Sequence, residues 1–218
     1  SILDQNGFKT GLIGTINVII GEVKHFADRT TPESLDLYEY FYKMKQNNIR
    51  YVVMEVSSHA LDLKRVAGMD FDIGIFTNIS QDHLDYHNSL EEYLKVKSKL
   101  FKNIKKEGYG IVNNDEDKAP VIKKANQGQL LTYGIEKSAT ITAKNIKVNL
   151  DKAYFEVEKI GPINLNLTGR FNIYNALAAA AAGKALNLKP EVIKKGLESL
   201  SGVAGRLEKV DQGQPFGV

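Results

Sequence analysis

Cysteine is absent from the 218 residues. That excludes a disulfide framework and any thiolate metal site, and it suits a reducing compartment. No apolar run approaches the roughly 20 residues that a membrane-spanning helix needs. The opening residues also lack the basic-then-apolar order of a secretion signal. A soluble, cytoplasmic protein without membrane insertion is expected. Strong charge is missing as well: 29 Lys and Arg stand against 26 Asp and Glu, a net charge of +3. The lysines are dispersed rather than striped, so nucleic acid is not an expected partner.

What remains is an ordinary globular composition, 43% hydrophobic and 25% charged, long enough for one large domain or two small ones. Neither an internal repeat nor a low-complexity linker divides it. Ser1, Ile2 and Leu3 read as the last turn of a helix that Asn6-Gly7 stops. The end at Gln214-Pro215-Phe216-Gly217-Val218 has no closing element. The chain is therefore expected to be an excised piece.

Strand and helix signals alternate over the first two thirds, which predicts a mostly parallel sheet flanked by helices, an α/β fold. A strand is expected over Phe8–Gly14, then a helix capped by Thr31 with Pro32 at its first position, running to Asn47-Asn48. The run Tyr51-Val-Val-Met-Glu55 reads as a strand buried on both faces. A second run, Phe71–Ser80, follows a short crossover. Ser89-Leu-Glu-Glu92 is a capping box that opens another helix. Gly110–Asn114 and Leu130–Gly134 are further short strands. From about Ala139 the texture changes to short alternating strands, which predicts a small antiparallel sheet. An alanine-rich helix through Leu186 and a last helix from Pro190 to about Leu200 complete the pattern.

In an open α/β sheet, ligands gather beyond the carboxyl ends of the strands. Glu55 and His83 are expected to approach each other along that rim. Lys97 shares a helical face with Leu90, Leu94 and Phe101. A lysine on a buried face lowers its pKa, pairs with a carboxylate, is modified, or lays its stem on the core with the ammonium in water. His83 and His87, four residues apart, would permit zinc on a helix, but the polar stretch also reads as a loop with capping aspartates. Asn172 and Asn175 read as caps of the alanine helix, and Thr30 and Thr31 as caps of an earlier one. Phosphate binding at such helix starts is easily added. Arg65 and Arg206 have no acidic partner nearby in sequence and read as surface cations.

Glu55-Val-Ser-Ser-His-Ala-Leu61, Arg65-Val66, Phe76-Thr-Asn-Ile-Ser80 and Asp82-His83-Leu-Asp85-Tyr86-His87 together resemble the central domain of the Mur ligases. The similarity is strongest to the tripeptide-synthetase (MurE-type) branch. Thr30-Thr31-Pro32, Tyr93–Lys97, Gly169–Asn175 and Gly205-Arg206-Leu-Glu208 follow in the family's order. The resemblance covers nearly the whole chain. It implies a ligase of peptidoglycan synthesis that uses ATP and Mg2+. An acyl phosphate forms on UDP-MurNAc-L-Ala-D-Glu, and the amine of diaminopimelate or L-lysine displaces phosphate from it. It further implies that Glu55, His83 and a carbamylated Lys97 hold magnesium and serve catalysis. Thr30, Thr31, Ser57 and Arg65 would hold the UDP-muramoyl peptide, and Asn172, Asn175 and Arg206 the nucleotide.

The family's Gly-x-x-Gly-Lys-Thr phosphate loop has no counterpart here, since none of Gly7, Gly11, Gly14 or Gly21 is directly followed by Lys-Thr or Lys-Ser. Residues 1–138 are thus read as the α/β part of such a domain without its phosphate loop, and 139–168 as the antiparallel sheet. Residues 169–205 are read as the helical end and 206–218 as the start of a linker. The fragment alone is expected to be inactive. The rival readings are a zinc hydrolase built on His83 and His87 and a non-catalytic nucleotide-binding module.

Overall fold

The structure, a computed structural model, describes residues 1–79, 86 and 89–202. A single helical turn, α1 (Ile2–Gln5), stops where Gly7 takes a φ of +74°. Strand β1 (Thr10–Ile13) leads into a hairpin of β2 (Asn17–Ile20) and β3 (Val23–Phe26), turned at Gly21 with φ +63°. Helix α2 (Ser34–Gln46) buries Leu37 and Met44. Its first residues are not capped by Thr31; Glu33 sits at the cap position and makes no side-chain capping bond. Strand β4 (Tyr51–Met54) runs parallel to β1. The short helix α3 (Ser58–Asp62) is capped by Ser57, whose Oγ accepts the Ala60 N–H at 3.1 Å.

Strand β5 (Phe71–Phe76) is followed by α4 (Leu90–Lys102), whose cap Ser89 accepts the Glu92 N–H at 3.1 Å. Strand β6 (Ile104–Asn113), helix α5 (Ala119–Ala125) and strands β7 (Gln129–Gly134), β8 (Ile141–Val148), β9 (Ala153–Val157) and β10 (Gly161–Leu165) come next. Helices α6 (Arg170–Ala185) and α7 (Pro190–Glu198) close the described chain. Among the described residues no helix is long and apolar enough to cross a membrane.

The strands form two sheets, ordered β3-β2-β1-β4 and β10-β9-β8-β7-β6-β5. In each sheet parallel pairing lies toward the edge strand β4 or β5 and antiparallel pairing toward the opposite edge. β8 is parallel to β7 on one side and antiparallel to β9 on the other. The late antiparallel strands therefore continue the parallel sheet. Its core joins Ile111, Tyr133, Phe155 and Ile163 to Ile173 and Leu177 of α6. The alanines of α6 let that helix lie close to the strands. Gly196 of α7 does the same for α1: a Cβ there would lie 2.4 Å from the Ile2 Cα. The first sheet packs a smaller core of Ile13, Val18, Leu37, Met44 and Leu61.

Between β4 and β5 lies a cleft of about 1200 Å³. Among the described residues each of these strands has a bonded neighbour on one side only. Val52 and Val53 point to opposite faces of β4, yet they are 40% and 51% exposed. The expected strand buried on both faces is corrected accordingly. Apolar residues seal a strand only where neighbours lie on both sides, and here one side borders the cleft.

Candidate functional site

The rim of this cleft is built where β1 and β4 end. Ladder pairing continues one step past β4, since the Glu55 N–H donates to the Ile13 carbonyl at 2.8 Å. That bond fixes the Glu55 backbone and leaves its side chain at the mouth. The carboxylate Oε2 accepts the Thr15 hydroxyl at 2.8 Å, and Thr15 lies 3.1 Å from the Thr30 hydroxyl. Thr31 is buried; its hydroxyl donates to the Glu55 carbonyl at 2.9 Å and accepts the Ser57 N–H at 3.0 Å. Thr31 is thereby used up in holding the Glu55–Ser57 turn. Thr30 and Ser57 are the hydroxyls of this group that retain capacity for a ligand.

Arg65 is no surface cation. Its side chain is 11% exposed, pairs with Glu33 at 2.9 Å and donates to the Thr31 carbonyl at 3.1 Å. Glu33 is shared with Arg29. The Arg65 Nε and the Ser58 Oγ are buried without a hydrogen-bond partner among the described residues. A buried polar group in that state is costly unless something else binds it.

Lys97 projects from α4 into the same cleft, half-buried, with its Nζ 4.9 Å from the centroid of the Tyr93 ring. It belongs to none of the ion pairs among the described residues. Glu55, Thr30, Thr31, Ser57, Arg65 and Lys97 thus line one cavity, together with His59. His83, with its neighbour His87, lies outside the described residues, as does Arg206.

Asn172 and Asn175 sit elsewhere, on the first turns of α6 and away from the cleft lining. Neither is a cap. Gly169 occupies that position at φ +91°, while the Asn172 Nδ2 donates to the Thr168 carbonyl at 2.7 Å. The Asn175 Nδ2 in turn donates to the Asn172 Oδ1 at 3.3 Å. Beside them Asp115 accepts the N–H groups of Ile135, Glu136 and Lys137 at 2.6, 2.9 and 2.7 Å, and the Tyr174 hydroxyl at 2.8 Å. Burial pushes its carboxyl up, but these donors hold it below the ordinary value. Burial raises the nearby Glu116 carboxyl, and it raises the Tyr133 hydroxyl far more. Sequence reasoning missed Asp115, Glu33 and Thr15, whose partners are distant in the chain.

Among the described residues no three His, Cys, Asp or Glu side chains converge. The described part of the rim presents a carboxylate and hydroxyls, hard oxygen donors that suit Mg2+, whereas the zinc expectation rests on His83 and His87, outside the described residues.

A profile of the Mur ligase middle domain matches residues 1–183. The chain belongs to the Mur ligase middle-domain family. It is 42% identical over 226 residues to the UDP-N-acetylmuramoyl-L-alanyl-D-glutamate--2,6-diaminopimelate ligase of Oceanobacillus iheyensis, covering 100% of this chain and 46% of that protein. The like-named ligase of Caldanaerobacter subterraneus subsp. tengcongensis is 45% identical over 219 residues, covering 99% and 45%. A solved structure of a ligase of that name superposes with a TM-score of 0.84 at 25% identity, covering 96% of this chain and 44% of that one. The Mur ligase domain thus spans about half the length of the relatives it matches.

Proposed function

We propose that this domain works within a longer chain, like those of its relatives, as the centre of a cytoplasmic ligase of peptidoglycan synthesis. That enzyme joins 2,6-diaminopimelate to UDP-MurNAc-L-Ala-D-Glu and consumes ATP with Mg2+. The observation that carries this reading is the convergence of Glu55, Lys97, Ser57, Thr30 and Arg65 on one cleft at the strand ends. The names of the relatives favour diaminopimelate over L-lysine.

In this scheme the γ-phosphoryl group moves to the terminal carboxylate of the peptide, and the incoming amine displaces phosphate from the acyl phosphate. Magnesium, when bound, would screen the facing negative oxygens. Glu55, His83 and a carbamylated Lys97 would hold it. Carbamylation consumes a neutral amine, and the placement of Lys97 over the Tyr93 ring, outside any described ion pair, leaves its Nζ available. Ser57 and Thr30 would bind the muramoyl peptide, with Thr31 and Arg65 fixing the loop that carries them. Asn172, Asn175 and Arg206 would contact the nucleotide. Because Asn172 and Asn175 stand apart from the cleft lining, ATP would have to reach from α6 to the rim.

The test is phosphate release and product formation by the full-length protein with ATP, Mg2+ and UDP-MurNAc-L-Ala-D-Glu. Diaminopimelate and L-lysine are supplied separately. Turnover with diaminopimelate, lost in Glu55→Gln and Lys97→Ala and partly restored in the latter by short carboxylic acids, is expected. Unchanged turnover in Lys97→Ala removes that residue from the mechanism. The 218-residue chain alone is expected to give no turnover.

A further inference from the structure

We infer that Thr15 is a positioning residue that aims the Glu55 carboxylate and ties it to Thr30, a role that rests on the proposed use of Glu55 as a magnesium ligand. Thr15 follows Gly14 just beyond the carboxyl end of β1, 40 positions before Glu55. Its hydroxyl stands 2.8 Å from the Glu55 Oε2 and 3.1 Å from the Thr30 Oγ1. A threonine hydroxyl has one proton, and an ionised carboxylate can only accept. The Thr15 proton is therefore committed to Glu55. Thr30 must then be the donor in the second contact. The order is fixed: Thr30 gives to Thr15, and Thr15 gives to Glu55.

Two consequences follow from that order. The Thr15 hydroxyl is polarised toward the carboxylate by the bond it receives from Thr30, which strengthens the hold on Oε2. Meanwhile Thr30 has spent its only proton, so it meets a ligand solely as an acceptor. It would select an N–H or O–H of the bound molecule and disfavour a phosphate or carboxylate oxygen. A Cβ at Gly14 would lie 3.9 Å from the same Glu55 oxygen, an ordinary contact, so the approach of Thr15 to Glu55 does not depend on glycine at that position. A carboxylate that binds a metal through one oxygen is oriented by what holds the other. Losing such an outer partner typically costs roughly 10- to 100-fold in metal affinity.

The experiment measures Mn2+ binding to the full-length protein by electron paramagnetic resonance, without ATP or turnover. Wild type is compared with Thr15→Val, Thr15→Ser and Glu55→Gln, with circular dichroism and the thermal midpoint as folding controls. Thr15→Val is expected to weaken Mn2+ binding roughly 10-fold or more. Thr15→Ser should restore it, and Glu55→Gln should weaken it furthest. Wild-type affinity in Thr15→Val alongside weakened Glu55→Gln overturns the positioning role and leaves the magnesium reading standing. Failure of folded Thr15→Ser to restore binding also overturns it, because the hydroxyl would not be the cause. Unchanged affinity in Glu55→Gln overturns both proposals.

Discussion

The two sheets of this domain divide stability from chemistry. The six-stranded sheet is closed by α6 and α7, with Phe155, Ile163 and Leu177 at 0% exposure. Its edge strand β5 borders the same cleft, but it supplies none of the hydroxyls gathered around the Glu55 carboxylate. The four-stranded sheet ends at β4, whose valines are half open, and it supplies Thr15, Thr30, Thr31, Glu55 and Ser57. A closed sheet gains its stability from apolar contact on both faces. An open edge gives up part of that contact, and it gains a place where carboxylate and hydroxyls meet solvent and ligand.

Truncation should expose the division first. Phe155→Ala deletes a ring from the closed core and should cost about 3–5 kcal/mol, read as a shift in the urea midpoint. Val53→Ala, also in a strand, removes side chain that is 51% exposed and should stay within roughly 0.5 kcal/mol. Equal losses at the two sites would erase the distinction. Gly196→Ala probes the seam between α1 and α7. The new methyl would meet the Ile2 backbone rather than a movable side-chain tip, so a loss of about 1–3 kcal/mol is expected.

Asp115 gives the closed half its own polar anchor, and pH tests it. Its folded carboxyl titrates below the unfolded value of 3.8. Its stabilisation is therefore full above that value and fades as pH falls through the lower folded one. Asp115→Asn should lose about 1–3 kcal/mol at pH 7, and the deficit against wild type should shrink at pH 3. A deficit that is the same at both pH values would show that charge is not what the four donors recognise.

How much of this was legible in the letters depends on the range of the interaction. Helix α4 was readable because Ser89 and its apolar spacing are local signals, and α6 because its alanines are contiguous. The β2–β3 hairpin was not, since Gly21 alone marks a turn between runs that also read as one irregular stretch. Burial of β4 was misread because it depends on neighbours on both sides. Arg65 looked unpaired because Glu33 lies 32 positions away and periodicity does not connect them. At the site, Glu55 and Lys97 were marked by an acid and an amine placed among apolar residues. Thr15 had no such mark: a hydroxyl after a glycine looks like any turn until folding brings it to the carboxylate.

The finest contrast uses two serines with the same local job. Ser57 and Ser89 each accept an N–H three residues on, at 3.1 Å, and so cap α3 and α4. Replacing either with alanine removes the same bond and should cost about 1 kcal/mol. Their surroundings differ. Ser89 is not itself among the cleft-lining residues, whereas Ser57 lines the cleft and gives its backbone N–H to Thr31. That N–H survives in Ser57→Ala, so the Thr31 anchor persists and the turn keeps its shape. Equal thermal shifts are therefore expected in the two variants of the full-length protein. The KM for the UDP-muramoyl peptide should rise in Ser57→Ala alone. A matching KM in both would make Ser57 a cap and nothing more, and would move substrate contact at this turn to Thr30.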